Sequence, residues 1–209
     1  MLRIAVAKGR LLDAFRALLE QTGCDCRAVA EASRKLVIDL EQAGLRFILA
    51  KPADVPTYVE YGAADLGVVG KDVLVECDRN VAELLDLKYG LCRLVVAVPQ
   101  ASGISKVQEL DFNSRVASKY PRTAEAFFNS RGIQVEIIPL AGSIELGPMV
   151  GLSEAIVDIT ETGRTLAENG LVVIETIMES TARLIANRIS LKTQREAIAA
   201  LVSALERVI

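Results

Sequence analysis

From Asp158 to Leu166 the chain reads DITETGRTL, a carboxylate followed by three threonines set around a glycine and an arginine. Ala155, Ile156 and Val157 before it read as a short buried strand, and the residues after it read as a helix. Thr160, Thr162, Gly163 and Thr165 then stand where unpaired amides and hydroxyls converge on one spot, and where the helix dipole favours an anion. Gly163 lets the backbone turn and approach closely, as phosphate-cradling loops require. Asp158 cannot itself bind a phosphate; it can accept hydrogen bonds from vicinal ribose hydroxyls, or hold a magnesium ion through water. A threonine-rich N-cap with glycine in a turn explains so short a pattern equally well. The order strand, acid, hydroxyl-glycine loop, helix is what a phosphate and ribose site needs.

Further segments can carry charge or approach a ligand closely. Lys8, Gly9 and Arg10 end the first strand, where open α/β sheets bind ligands, so two cations there suit a polyphosphate. Arg34 and Lys35, and Lys51 ahead of Pro52, sit at other strand edges and are individually explained as surface charges. In GAADLGVVGKDVL, Asp65, Gly67 and Gly70 punctuate a strand; the glycines predict close approach of a flat base, or tight packing. Lys119, Tyr120 and Arg122 occupy a strand-to-helix junction. Ser143 and Glu145 begin a short helix that Gly147-Pro148 limits.

The elements that must position these residues follow from periodicity. Residues 2–7 read as a buried strand and about 11–21 as an amphipathic helix with Leu11, Phe15, Leu18 and Leu19 on one face. Strand-like runs recur at 36–40, 45–50, 65–69, 84–87, 92–98, 115–118, 134–138, 155–159 and 171–175, with helical patterns between many of them. This predicts an α/β protein of parallel sheets with right-handed crossovers. Pro56 lies within a first helical turn or kinks it. The tail, 193–209, reads as an amphipathic helix N-capped by Thr193, with apolar residues at 198, 201, 202, 205 and 209. With the strand-like 181–191 it is expected to return to the first lobe. Residues 1–90 plus 173–209 would form one lobe and 91–172 the other, with a ligand cleft between them.

Composition narrows the chemistry. The 209 residues are 51% hydrophobic with a net charge of -3, which argues against nucleic acid as the main ligand. Apolar runs are too short for a membrane span, and Lys-Gly-Arg breaks the N-terminal one where a signal peptide would continue, so cytoplasmic residence is expected. Cys24, Cys26, Cys77 and Cys92 read as reduced thiols in or near the core. The chain has no histidine, so acid-base work would fall to carboxylates, lysine or tyrosine.

Taken in order, AVAKGRLLD, ADLGVVGKDVL, VASKYPRTAEAFF and AGSIELGPMVGLSEAIVDITETGRTLAENGL resemble the ATP phosphoribosyltransferase family of histidine biosynthesis, over nearly the whole chain. The resemblance implies a two-lobed fold like that of type II periplasmic binding proteins, with the active site in the cleft. It implies attack of N1 of ATP on C1 of phosphoribosyl pyrophosphate, release of pyrophosphate and a need for magnesium. The family's phosphoribosyl pyrophosphate loop is DITETGRTL, which assigns Asp158, Thr160, Glu161, Thr162, Gly163, Arg164 and Thr165 to that substrate, together with Glu145. Lys51, Asp65, Gly67, Gly70, Lys119 and Tyr120 are expected to bind ATP. Lys8, Arg10 and Arg34 are the expected catalytic cations, placed on the departing pyrophosphate. The chain resembles the short form, without a C-terminal regulatory domain, which implies a regulatory subunit related to histidyl-tRNA synthetase and a hetero-octamer. Lys51-Pro52 departs from an expected Arg-Pro, and lysine lacks arginine's bidentate fork. Two readings compete: a non-catalytic two-lobed small-molecule sensor, and a salvage phosphoribosyltransferase, which usually shows two adjacent acids where Ile159 follows Asp158.

Overall fold

Alternating strand and helix patterns become two separate hydrophobic sheets in the computed structural model, which describes residues 1–31 and 35–209. The first unit comprises Met1–Gly90 and Thr181–Ile209, and the second Leu91–Ser180. In chain order the first unit gives β1 (Leu2–Ala7), α1 (Arg10–Gln21), α2 (Arg27–Glu31), β2 (Val37–Leu40), β3 (Leu45–Ala50), α3 (Val55–Glu60), β4 (Leu66–Gly70), α4 (Lys71–Cys77) and β5 (Ala82–Asp86). The second gives β6 (Cys92–Pro99), β7 (Arg115–Ser118), α5 (Pro121–Ser130), β8 (Glu136–Pro139), α6 (Leu146–Met149), β9 (Ala155–Thr160), α7 (Arg164–Glu168) and β10 (Leu171–Ser180). The chain then re-enters the first unit as β11 (Ala182–Ala186), α8 (Ser190–Thr193) and α9 (Arg195–Glu206).

Strand order is β2-β3-β1-β4-β11-β5 in one sheet and β10-β6-β9-β7-β8 in the other. Both sheets are mixed rather than parallel. β1 runs parallel to β3 and β4, and β7 to β8 and β9, but β2, β11, β6 and β10 pair antiparallel with their neighbours. The mixing has a topological cause: β6 and β11 carry the chain from one unit to the other, so they enter without a crossover helix to make them parallel. The second passage also falls later than the hydropathy suggests. Residues 173–180, expected in the first lobe, continue β10, which pairs with β6 through Ser180↔Cys92.

Each sheet is covered on both faces, which is why its central strands read as unbroken apolar runs. On one side of β1, Ile4 and Val6 pack with Phe15 of α1 and with Ile198 and Leu205 of α9; on the other, Ala5 meets Val55 and Val59 of α3. In the second sheet, Val116 and Val157 pack with Phe127 and Phe128 of α5, while Ala117 and Ile156 face Ile144 and Leu166. The two prolines near 52–56 are both accommodated, because a 3-10 turn Pro52–Asp54 precedes α3 and Pro56 falls in its first turn. The tail helix begins later than its pattern suggests. Gln194 is its N-cap, Thr193 closes α8, and Ile209 lies beyond the helix end. Among the described residues no helix is long and apolar enough to cross a membrane.

Candidate functional site

β9 has different neighbours on its two sides. Towards β7 the parallel ladder ends at Ser118↔Val157, whereas towards β6 the antiparallel ladder continues to Arg93↔Thr160. Asp158 is therefore a strand residue, inside the strand-like run 155–159, and it lies past the last β7 partner of β9. Ligands of open α/β sheets bind beyond carboxyl ends of strands where chain connections diverge. β7 leads through α5 to β8 on one side while β9 lies on the other.

Asp158 and Thr160 share the face of β9 that carries Ile156, against which Leu166 of α7 is buried. Burial pushes the Asp158 carboxyl up to about 6; the Ile159 amide, 2.8 Å from Oδ1, and the positive charge of Lys119 oppose this, and Glu145 adds to it. Asp158 on β9 thus feels the charges of Glu145, the N-cap of α6, and of Lys119, the first residue after β7. Gly147 accounts for the placing of α6. A side chain there would put its Cβ 2.7 Å from Ser153 Oγ and 3.0 Å from Ala117 Cβ, so only glycine lets α6 lie on β7.

The loop after β9 is built from its own hydroxyls. Gly163 N–H donates to Thr160 Oγ1 at 2.8 Å, and Gly163 adopts φ 78°, ψ -2° at the N-cap of α7. That left-handed conformation is strained for any β-branched residue. Nothing lies within 4 Å of where a Cβ on Gly163 would stand, so the backbone is open to a ligand. The first regular helical bond is Ala167 N–H to Gly163 O, and Arg164 N–H ahead of it donates to Thr162 Oγ1 at 3.4 Å. Glu161, Thr162, Arg164 and Thr165 are exposed, and Arg164 pairs with Glu168 along the helix at 2.8 Å.

In the first unit the expected cations share an edge. Ala7 pairs with Ala50, so Lys8 and Lys51 follow from the carboxyl ends of adjacent parallel strands, and both are exposed. Arg10, also exposed, opens α1 after Gly9, whose φ of 91° turns the chain sharply. Gly70 ends β4 on the other side of β1 and is the N-cap of α4. Arg34 lies outside the described residues.

Three residues expected to contact ATP have structural partners. Asp65 is completely buried: Oδ1 accepts from Arg3 Nη2 at 2.8 Å and Ser190 Oγ at 2.7 Å, and Oδ2 from Arg3 N and Nε at 2.9 Å each. Burial alone would raise its pKa, but these donors outweigh it and hold the carboxyl at about 2. Gly67 is a packing residue, since an added Cβ would lie 2.7 Å from Val59 Cγ2 and 3.0 Å from Val55 Cγ1. Tyr120 is buried in the second unit's core among residues that include Leu94 and Phe128. The motif reading also passed over Ser118, a fully buried hydroxyl that donates to Val157 O at 2.7 Å and accepts from Tyr120 N at 2.8 Å. Its one signal in the sequence is a lone hydroxyl closing an apolar strand.

With this geometry in hand, comparison with known proteins is specific. The profile of the family described as ATP phosphoribosyltransferase matches residues 51–207. The ATP phosphoribosyltransferase of Caldanaerobacter subterraneus subsp. tengcongensis is 52% identical over 206 residues, 99% of this chain and 96% of that protein. Among solved structures, an ATP phosphoribosyl transferase (HisG:HisZ) complex from Thermotoga maritima contains a chain 35% identical with a TM-score of 0.84, covering 100% of this chain and 98% of that one. The periplasmic aliphatic sulphonate binding protein SsuA from Escherichia coli is similar in fold alone, at 14% identity and a TM-score of 0.65 over 99% of this chain and 68% of that one.

Proposed function

This chain belongs to the ATP phosphoribosyltransferase family, which catalyses the first step of histidine biosynthesis, and we propose that the β9–α7 loop is where it holds phosphoribosyl pyrophosphate. The observation that carries the assignment is the open loop around Gly163 beside a half-buried Asp158. The amides and hydroxyls of Thr160, Thr162 and Thr165 hold the 5-phosphate, and Glu161 and Arg164 flank it. Asp158, with Glu145, accepts hydrogen bonds from the ribose hydroxyls. Lys119, expected on the ATP side, joins this set because its charge reaches Asp158.

The transfer forms a bond from adenine N1 to ribose C1 and breaks the bond from C1 to the pyrophosphate oxygen. Adenine N1 is already a nucleophile, so a chain without histidine lacks nothing the reaction requires. Charge grows on the leaving pyrophosphate, and preorganised cations lower that barrier. Lys8 and Arg10, at the carboxyl edge of the first sheet, are assigned this role with Arg34; Lys51 beside them, and Gly70, are retained for the ATP phosphates.

Magnesium would neutralise the diphosphate when bound. In the proposed site the ion is carried by the substrate phosphates and touched through water by Asp158. The HisG:HisZ complex of the Thermotoga maritima relative supports a partner subunit for this chain too; in the proposed assembly that partner is regulatory, related to histidyl-tRNA synthetase, and the whole is a hetero-octamer.

Pyrophosphate release tests the assignment and separates it from a sensor or a salvage enzyme. Release should require both ATP and phosphoribosyl pyrophosphate, with phosphoribosyl-ATP found by mass. No release even with the partner subunit, or release with a free base in place of ATP, would overturn it.

A further inference from the structure

We propose that Ser118 is a positioning residue for the transfer, a buried hydroxyl that fixes Lys119 relative to Asp158. It rests on the reading of those two residues as contacts of phosphoribosyl pyrophosphate. Ser118 is the last residue of β7 and has no exposure to solvent. Its Oγ–H donates to Val157 O at 2.7 Å, and its Oγ accepts from Tyr120 N–H at 2.8 Å. Asp158 follows Val157 directly, and Lys119 lies between Ser118 and Tyr120. Two hydrogen bonds through one oxygen therefore link the backbone on both sides of Lys119 to the backbone immediately before Asp158.

The position is where such a link is needed. The ladder between β7 and β9 ends at Ser118↔Val157, and beyond it the two chains part, one into α5 and the other along β6. The Ser118 carbonyl is engaged elsewhere, accepting from Leu140 N–H at 2.9 Å, so β8's exit is tied to the same residue. Without the hydroxyl, Val157 O and Tyr120 N–H would both lose a partner in a buried setting, and local movement to recover one would alter the spacing of the cation and the carboxylate. A displacement of even 1 Å at a positioned group is costly to a reaction that depends on orientation.

A mutant cycle decides the matter, using the full chain with its substrates and thermal melts alongside. Ser118→Ala should raise the KM for phosphoribosyl pyrophosphate about tenfold, with the KM for ATP unmoved. Ser118→Thr, which keeps the oxygen, should return it to within about twofold of the parent. In a Lys119→Met background the same Ser118→Ala change should cost about threefold or less, because the group it positions is gone. Equal rises in both KM values, or an undiminished tenfold cost in the Lys119→Met background, would overturn the proposal and leave Ser118 as a strand fastener while the site reading stands. A Lys119→Met variant with an unchanged KM would instead remove the site reading, and this proposal with it. If Ser118→Ala does not fold, Ser118→Cys, with its weaker donor and acceptor, carries the same cycle.

Discussion

A carboxylate drawn partly out of water and set near a second carboxylate holds its proton more tightly than in solution. Asp158 is such a group, at about 6 against an ordinary value of 3.8, with burial the main cause. The sign follows directly. The folded chain binds the proton more tightly than the unfolded one, so stability present below the unfolded value is lost as pH rises through about 6. Asp158→Asn should therefore unfold at a higher urea concentration than the parent at pH 8, and the difference should vanish near pH 3; the reverse trend would show the carboxylate to be stabilised in its ionised form. In the proposed site function runs the other way, because there the ionised oxygens accept the ribose hydroxyls. For the parent, kcat/KM for phosphoribosyl pyrophosphate should fall as pH drops through about 6, and a profile flat down to pH 5 would contradict this. At this scale the sequence was most informative where chemistry is local. Gly163 stands where its pattern puts it, in the turn that opens a helix, because that signal is local. The partners of Asp65, Arg3 and Ser190, were not legible, because they are 62 and 125 residues away and no local pattern announces them.

Among the elements, Gly67 shows how a strand glycine admits two explanations that only packing separates. β4 presents it to Val55 and Val59 of α3 and to Ile185 of β11, all within 3.1 Å of where a side chain would begin. Gly67→Ala should destabilise the chain by about 1–3 kcal/mol, the usual cost of overpacking, and leave the KM for ATP unchanged in the folded fraction. A stable variant with weakened ATP binding would restore the base-contact role. Strands and the amphipathic α1 were visible from periodicity because burial on two faces or one imposes it. Strand direction was not. Whether β6 or β11 runs parallel depends on where the chain passes between units, which hydropathy does not encode. β10 appeared too short for a related reason: it is an edge strand with two register shifts against β6, so its later half alternates irregularly and reads as something other than strand.

For the molecule as a whole, two units with their own cores share one chain that passes from the first to the second and back. Several motifs in order identified the family where each alone was ambiguous, and the fold resemblance to a sulphonate-binding protein would by itself have left catalysis undecided. What distinguishes an enzyme of this family is a site that grips phosphoribosyl pyrophosphate, and that grip is assigned to one loop. Calorimetric titration of phosphoribosyl pyrophosphate with magnesium into the parent and into Gly163→Val tests it most directly. At φ 78° a β-branched residue is strained and its methyls would fill the open approach, so the variant should keep the parent's circular dichroism and give no binding heat. A folded Gly163→Val that binds with the parent's affinity would contradict the assignment of the loop.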